Sequence, residues 1–131
     1  MKLSKLCLGR IVWAIRPDPN GQNSKRRPWI ILTATDEISD EEPFVAVAVS
    51  SQGDIDNSER LVELPWGPGQ KSGTKLSRWS AAVCNWFVAI HVGELTEDDC
   101  GGIVPAKTMI EINKRIQLLS RSRNAKQPEN E

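Results

Sequence analysis

Residues 9–16 and 28–35 each carry a run of consecutive apolar, β-prone side chains, Ile11 to Ile15 and Trp29 to Leu32, and each stretch predicts a β-strand. Between them lie Pro17, Pro19, Asn20 and Gly21, which cannot continue a strand, so residues 17–24 predict a loop. Phe44 to Val49 is continuously apolar and β-rich, as expected of a strand covered on both faces. A short fourth strand is predicted at 61–64, stopped by Pro65, Gly67 and Pro68. A long extended stretch, 81–92, reads as one bent strand or two consecutive ones, and Gly93-Glu94-Leu95 is expected to end the sheet. Thr96 is a plausible N-cap for a short turn at 97–99.

The period then changes. From Pro105, a residue favoured in a first helical turn, Met109, Ile112, Ile116 and Leu119 form one apolar stripe. Several short strands followed by one helix predict a mainly β fold, a small barrel with a C-terminal α-helix. One domain is expected over 1–120, with 121–131 as a disordered tail lacking apolar anchors.

Charge refines this picture. Lys and Arg total 17, as do Asp and Glu. Yet seven basic side chains precede residue 30 against one acid, Asp18, and nine acids against Arg60 occupy 36–63. Lys71, Lys75 and Arg78 restore basic charge, and a shared basic face would suit a polyanion. Cys7, Cys84 and Cys100 are an odd, widely spaced set, which argues against a disulfide framework or a zinc site and for reduced thiols in a cytoplasmic protein. No apolar run has the length of a membrane span, and no secretory signal is evident. No metal, cofactor or membrane is expected to take part.

Familiar catalytic motifs are absent: there is no phosphate-binding Gly-rich loop and no His-Glu-x-x-His. The single histidine, His91, reads as structural or exposed. What remains is a set of strand ends. Lys25-Arg26-Arg27 precedes the second strand, and Pro28 biases Arg27 toward an extended backbone. Ser50 and Ser51 leave the third strand, and Asn85 lies in the fifth extended stretch. A guanidinium beside a hydroxyl can clamp a phosphodiester, and fixed donors would stabilise charge growing on its oxygens. Trp66 and Trp79, in loop-like segments, are the tryptophans expected to stack bases or to contact a partner protein, whereas Trp13, Trp29 and Trp86 are expected in the core or a dimer contact.

The order Gly9 to Trp13, a variable loop, Arg27-Pro28, Ser50-Ser51-Gln52, Leu76-Ser77, Ala82-Val83-Cys84-Asn85 and Gly93-Glu94-Leu95 resembles the MazF/PemK toxin family over roughly residues 8–118. The resemblance implies an SH3-like barrel of the CcdB/PemK type, a homodimer, and a toxin neutralised by a cognate antitoxin. It implies metal-independent cleavage of single-stranded RNA, in which the ribose 2′-oxygen attacks the adjacent phosphate to leave 2′,3′-cyclic phosphate and 5′-OH ends. By motif match, Arg27 stabilises the phosphorane or acts as acid, Ser50 fixes the phosphate, and Asn85 hydrogen-bonds a base or the 2′-OH. Asp18, Lys25, Arg26, Ser51, Gln52, Lys75, Arg78 and Trp79 complete the expected RNA-contacting set. The sequence departs from the Arg-Cys-Asp of some members by carrying Val83 and Asn85. That departure motivates one alternative, a catalytically impaired homologue; the other is that the same barrel serves as a non-catalytic binding module, like the related gyrase-poisoning toxins.

Overall fold

The computed structural model describes residues 2–52, 59–70 and 72–126. Six strands, β1 (Arg10–Arg16), β2 (Lys25–Ile31), β3 (Phe44–Ser50), β4 (Leu61–Glu63), β5 (Ala81–Ile90) and β6 (Cys100–Ile103), precede one helix, α1 (Ala106–Lys126). They form a single curled sheet in the order β4-β5-β3-β2-β1-β6, antiparallel at every pairing, a half-barrel carrying the helix.

Alternation along the strands builds two cores. Trp29, Ile31, Phe44, Ala46 and Ile90 lie in one cluster. Ile11, Ile30, Val47, Val49 and Val62 lie in the other, with Met109 and Ile112 of α1. The apolar run of β3 follows from this for Ala46 to Val49, which feed both faces, whereas Val45 is exposed. Ile116 and Leu119 pack against the second cluster, so the predicted stripe is the helix's core-facing side. Arg115 anchors the helix near β4, its Nη1 donating to the carbonyls of Glu59 (2.9 Å) and Leu61 (3.1 Å).

Strand β5 is single but irregular. Phe87 sits opposite Val47 and Val83 opposite Ala48, so Cys84, Asn85 and Trp86 bulge out between them. The second strand starts earlier than its pattern suggested: Lys25, Arg26 and Arg27 pair with Arg16, Ile15 and Ala14 rather than lying in the loop. It also ends earlier, at Ile31, and the hydroxyl oxygen of Thr33 accepts the Val45 N–H at 2.8 Å.

Two further departures concern the edges. The sheet does not end at 93–95, because Cys100–Ile103 adds β6 beside β1. The segment after β4 then bridges the two edges. Gly67 N–H donates to Leu76 O at 3.0 Å, while Gly102 and Ile103 N–H donate to Thr74 O (3.3 Å) and Gly73 O (3.0 Å). Thr74 is buried at this crossing, and its hydroxyl donates to Pro65 O at 2.7 Å. Gly102 is required there, since a Cβ would overlap the Gly73 carbonyl oxygen and the Thr74 backbone. The turn at 97–99 forms as predicted, with the Thr96 N–H donating to Asp99 Oδ2 at 2.8 Å. Helix α1 continues through Lys126, past the start of the expected tail; residues 127–131, and most of the polar loop expected at 53–59, lie outside the described residues.

Candidate RNA-binding cleft

Pro28 shapes the site. Trp29 and Ile30 face Ala48 and Val47, and carrying that register two residues further sets Arg27 level with Ser50. The ladder stops short of that pair. A proline has no N–H to offer β3, so the strands part there. The opening is a cleft of about 920 Å³. Arg27, Ser50, Ser51, Gln52, Lys25, Arg26, Asp18, Lys75 and Arg78 all line it. Five of these are cations, and Asp18 is the one carboxylate among the described lining residues.

Arg27 is held from two sides. Its Nη2 donates to Asp18 Oδ1 at 2.7 Å, and its guanidinium lies 4.6 Å from the centre of the Trp86 ring. Trp86 in turn meets Trp29 edge to face at 5.5 Å, and Trp29 Nε1 donates to Ala14 O at 3.1 Å. A continuous aromatic support thus runs from the core to the cation. The Arg27 side chain is only 11% exposed. Its Nε is buried with no hydrogen-bond partner among the described residues, a costly arrangement outside a functional site.

Asp18 is positioned by its own turn. Its N–H donates to Gln22 O at 2.7 Å, its carbonyl accepts from Gly21 N–H at 2.8 Å, and its Oδ2 accepts from Asn23 Nδ2 at 3.3 Å. Gly21 and Asn23 have positive φ, and the Asn20-Gly21 turn chemistry accounts for the first of them. Ser50 is tied into a turn of its own: its Oγ accepts the Gln52 N–H at 3.1 Å. Arg26 pairs with Asp99 at 2.7 Å and lies 5.4 Å from the Trp13 ring centre. The Arg26 guanidinium and the Thr96 N–H hold the Asp99 carboxyl below the usual carboxylate range.

Not every expected residue comes to the cleft. Asn85 is exposed in the β5 bulge and is not among the lining residues. Trp79 does not line it either, and Trp66 is exposed in the segment after β4. The tryptophans that do are Trp13 and Trp86, which the sequence assigned to core or dimer contacts. Strand alternation carried a usable signal for Trp13, which sits opposite Pro28. A smaller cleft of about 320 Å³ adjoins the first and shares Trp13, Arg26, Lys75 and Leu76 with it. Among the described residues, no cluster of His, Cys, Asp and Glu could hold a metal ion, and no helix is long and apolar enough to cross a membrane.

No protein-family model and no curated protein matches the chain. Solved structures do match, and they define the class of fold. A MazE–MazF crystal structure from Deinococcus radiodurans superposes with a TM-score of 0.66 at 17% identity, covering 88% of this chain and 96% of that one. An endoribonuclease in complex with its cognate antitoxin, from a mycobacterial species, gives 0.56 at 18% identity over 88% and 95%. The Mycobacterium tuberculosis toxin MazF-mt6 gives 0.58 at 15% identity over 84% and 96%. The chain therefore has the MazF-type toxin fold.

Proposed function

We propose that the chain is the toxin of a toxin–antitoxin pair: a cytoplasmic, homodimeric endoribonuclease that cuts single-stranded RNA without a metal, leaving 2′,3′-cyclic phosphate and 5′-OH ends. The observation that supports this reading is that Arg27 and Ser50 line one cationic cleft of a MazF-type fold. The guanidinium, fixed on Trp86, supplies donors to the oxygens of the scissile phosphate, and such donors matter most where charge grows. The Ser50 hydroxyl orients a phosphate oxygen from the opposite strand end. Lys25, Lys75 and Arg78 track the flanking phosphates, and Trp13 and Trp86 offer faces to bases. Asn85 does not line the cleft and has no carboxylate, so it is assigned no step. An antitoxin segment rich in acids would cover the same cations.

The test is direct. Purified protein is incubated with a long RNA in EDTA and the ends are mapped. Wild type should leave cyclic phosphates, and Arg27→Ala should lose cleavage by ~10²–10³-fold, the cost of one transition-state donor, with an unchanged circular-dichroism spectrum. Cleavage that survives this substitution, or that needs magnesium, would overturn the assignment. So would growth arrest in cells whose RNA stays intact, which would favour a protein-binding toxin.

A further inference from the structure

Transesterification needs a group that takes the proton of the ribose 2′-OH, and the argument here rests on the nuclease reading above. Lysine and arginine are protonated at neutral pH, and Ser, Asn, Gln and Trp side chains offer no basic site. His91 is exposed beyond the end of β5 and is not among the lining residues. The position occupied by an acid in some members of the resembling family is Asn85 here, away from the lining. Among the described residues of the cleft, that leaves Asp18.

Its placement suits the task. Asp18 Oδ1 lies 2.7 Å from Arg27 Nη2, so a phosphate bound to the guanidinium would sit next to the carboxylate. A 2′-oxygen is itself a near neighbour of the phosphorus it attacks. The Asp18 side chain is 29% exposed, against 11% for Arg27, so it reaches the cleft while the cation stays packed. The hydrogen bonds to Gln22, Gly21 and Asn23 hold its backbone and Oδ2, which limits the motion a loop residue would otherwise have. Asp18 is also the lone acid among the first thirty residues, where a cationic face would otherwise have no counter-charge.

We propose that Asp18 is the general base of the cleavage. Its carboxylate takes the 2′-OH proton as the 2′-oxygen–phosphorus bond forms. The phosphorus–5′-oxygen bond breaks, and the departing 5′-oxygen takes a proton from solvent. Asp18 then returns its proton to solvent, so the step is neutral in protons and electrons.

Two variants test this under single-turnover conditions with a long RNA in EDTA. Asp18→Asn keeps an oxygen that accepts from Arg27 but cannot take a proton. It should cut ~10²–10⁴-fold more slowly, the usual contribution of proton transfer, with an unchanged thermal melt and an affinity for a 2′-O-methyl oligonucleotide no weaker than wild type, since the substitution removes a negative charge from a cationic cleft. Asp18→Ala should regain cleavage when formate or acetate is added, and acetate should be the more effective per mole because it is the stronger base. A residue that merely positions Arg27 would give no rescue that tracks basicity. Near wild-type cleavage by Asp18→Asn overturns the proposal, as does a rescue that is absent or equal for the two acids. A wild type that leaves RNA intact overturns the nuclease reading and this inference with it, whereas active wild type with active Asp18→Asn overturns only the inference.

Discussion

Salt should govern RNA binding here to a degree set by the charges facing the cleft. Of its five cations, Arg27 is paired with Asp18 and Arg26 with Asp99, while Lys25, Lys75 and Arg78 have no ion-pair partner among the described residues. Each phosphate neutralised on a single strand contributes a slope of about −0.7 to log affinity against log salt. Three such contacts predict about −2.1, or roughly a 20-fold loss of affinity between about 50 and about 200 mM salt. Lys75 is the cleanest site to probe. Its φ is +60°, a left-handed conformation that asparagine tolerates well, so Lys75→Asn removes the charge without asking the backbone to move. The variant's slope should fall to about −1.4, and its loss over the same range to roughly 7-fold. Fluorescence anisotropy with a mixed-sequence 2′-O-methyl oligonucleotide, which lacks the attacking hydroxyl, measures both. A wild-type slope shallower than about −1, or one that Lys75→Asn leaves unchanged, would show that this cleft does not hold the phosphates.

Two further expectations concern the scaffold. Gly102→Ala should push the Gly73–Thr74 backbone off β6 and cost at least ~1–3 kcal/mol, as overpacking does; a urea midpoint equal to wild type would refute the closure described above. Burial pushes the Cys84 thiol up to about 11, partly offset by Arg115, so in the native protein it should resist iodoacetamide at a pH that labels it in denaturant. Because the folded thiol stays neutral where the unfolded one ionises, this contribution to stability is present below pH 9.0 and is lost as pH rises toward about 11. Peptide mass spectrometry of alkylated Cys84 reads the first effect, and chemical denaturation across that range reads the second.

Local patterning was enough for much of this molecule. Runs of apolar, β-prone residues set β1, β3 and β4 within a residue or so, and the stripe from Met109 to Leu119 told which side of α1 is buried. Turn chemistry placed the 17–24 loop, and Arg27-Pro28 marked the edge of the cleft. Such signals survive in one dimension because they depend on neighbours a few residues apart. Strand β6 was not legible, since Gly101-Gly102 has almost no β-propensity; it is a strand because β1 on one side and residues 73–74 on the other supply its partners.

The chemistry of the cleft belongs mostly to the tertiary structure. Nothing in the chain's order says that Asp99, distant in sequence, would hold Arg26, or that Trp86 rather than Trp79 would support Arg27. The β5 bulge decides the fate of Asn85 and Trp86, and a bulge is a property of two strands in register, not of one. The sequence by itself determined which segments could be strands and which cations stood at their ends. The curl of the sheet decided which of those cations share a cleft, which one meets a carboxylate, and which aromatic ring lies beneath it, because long-range pairing depends on register and closure that no local pattern encodes.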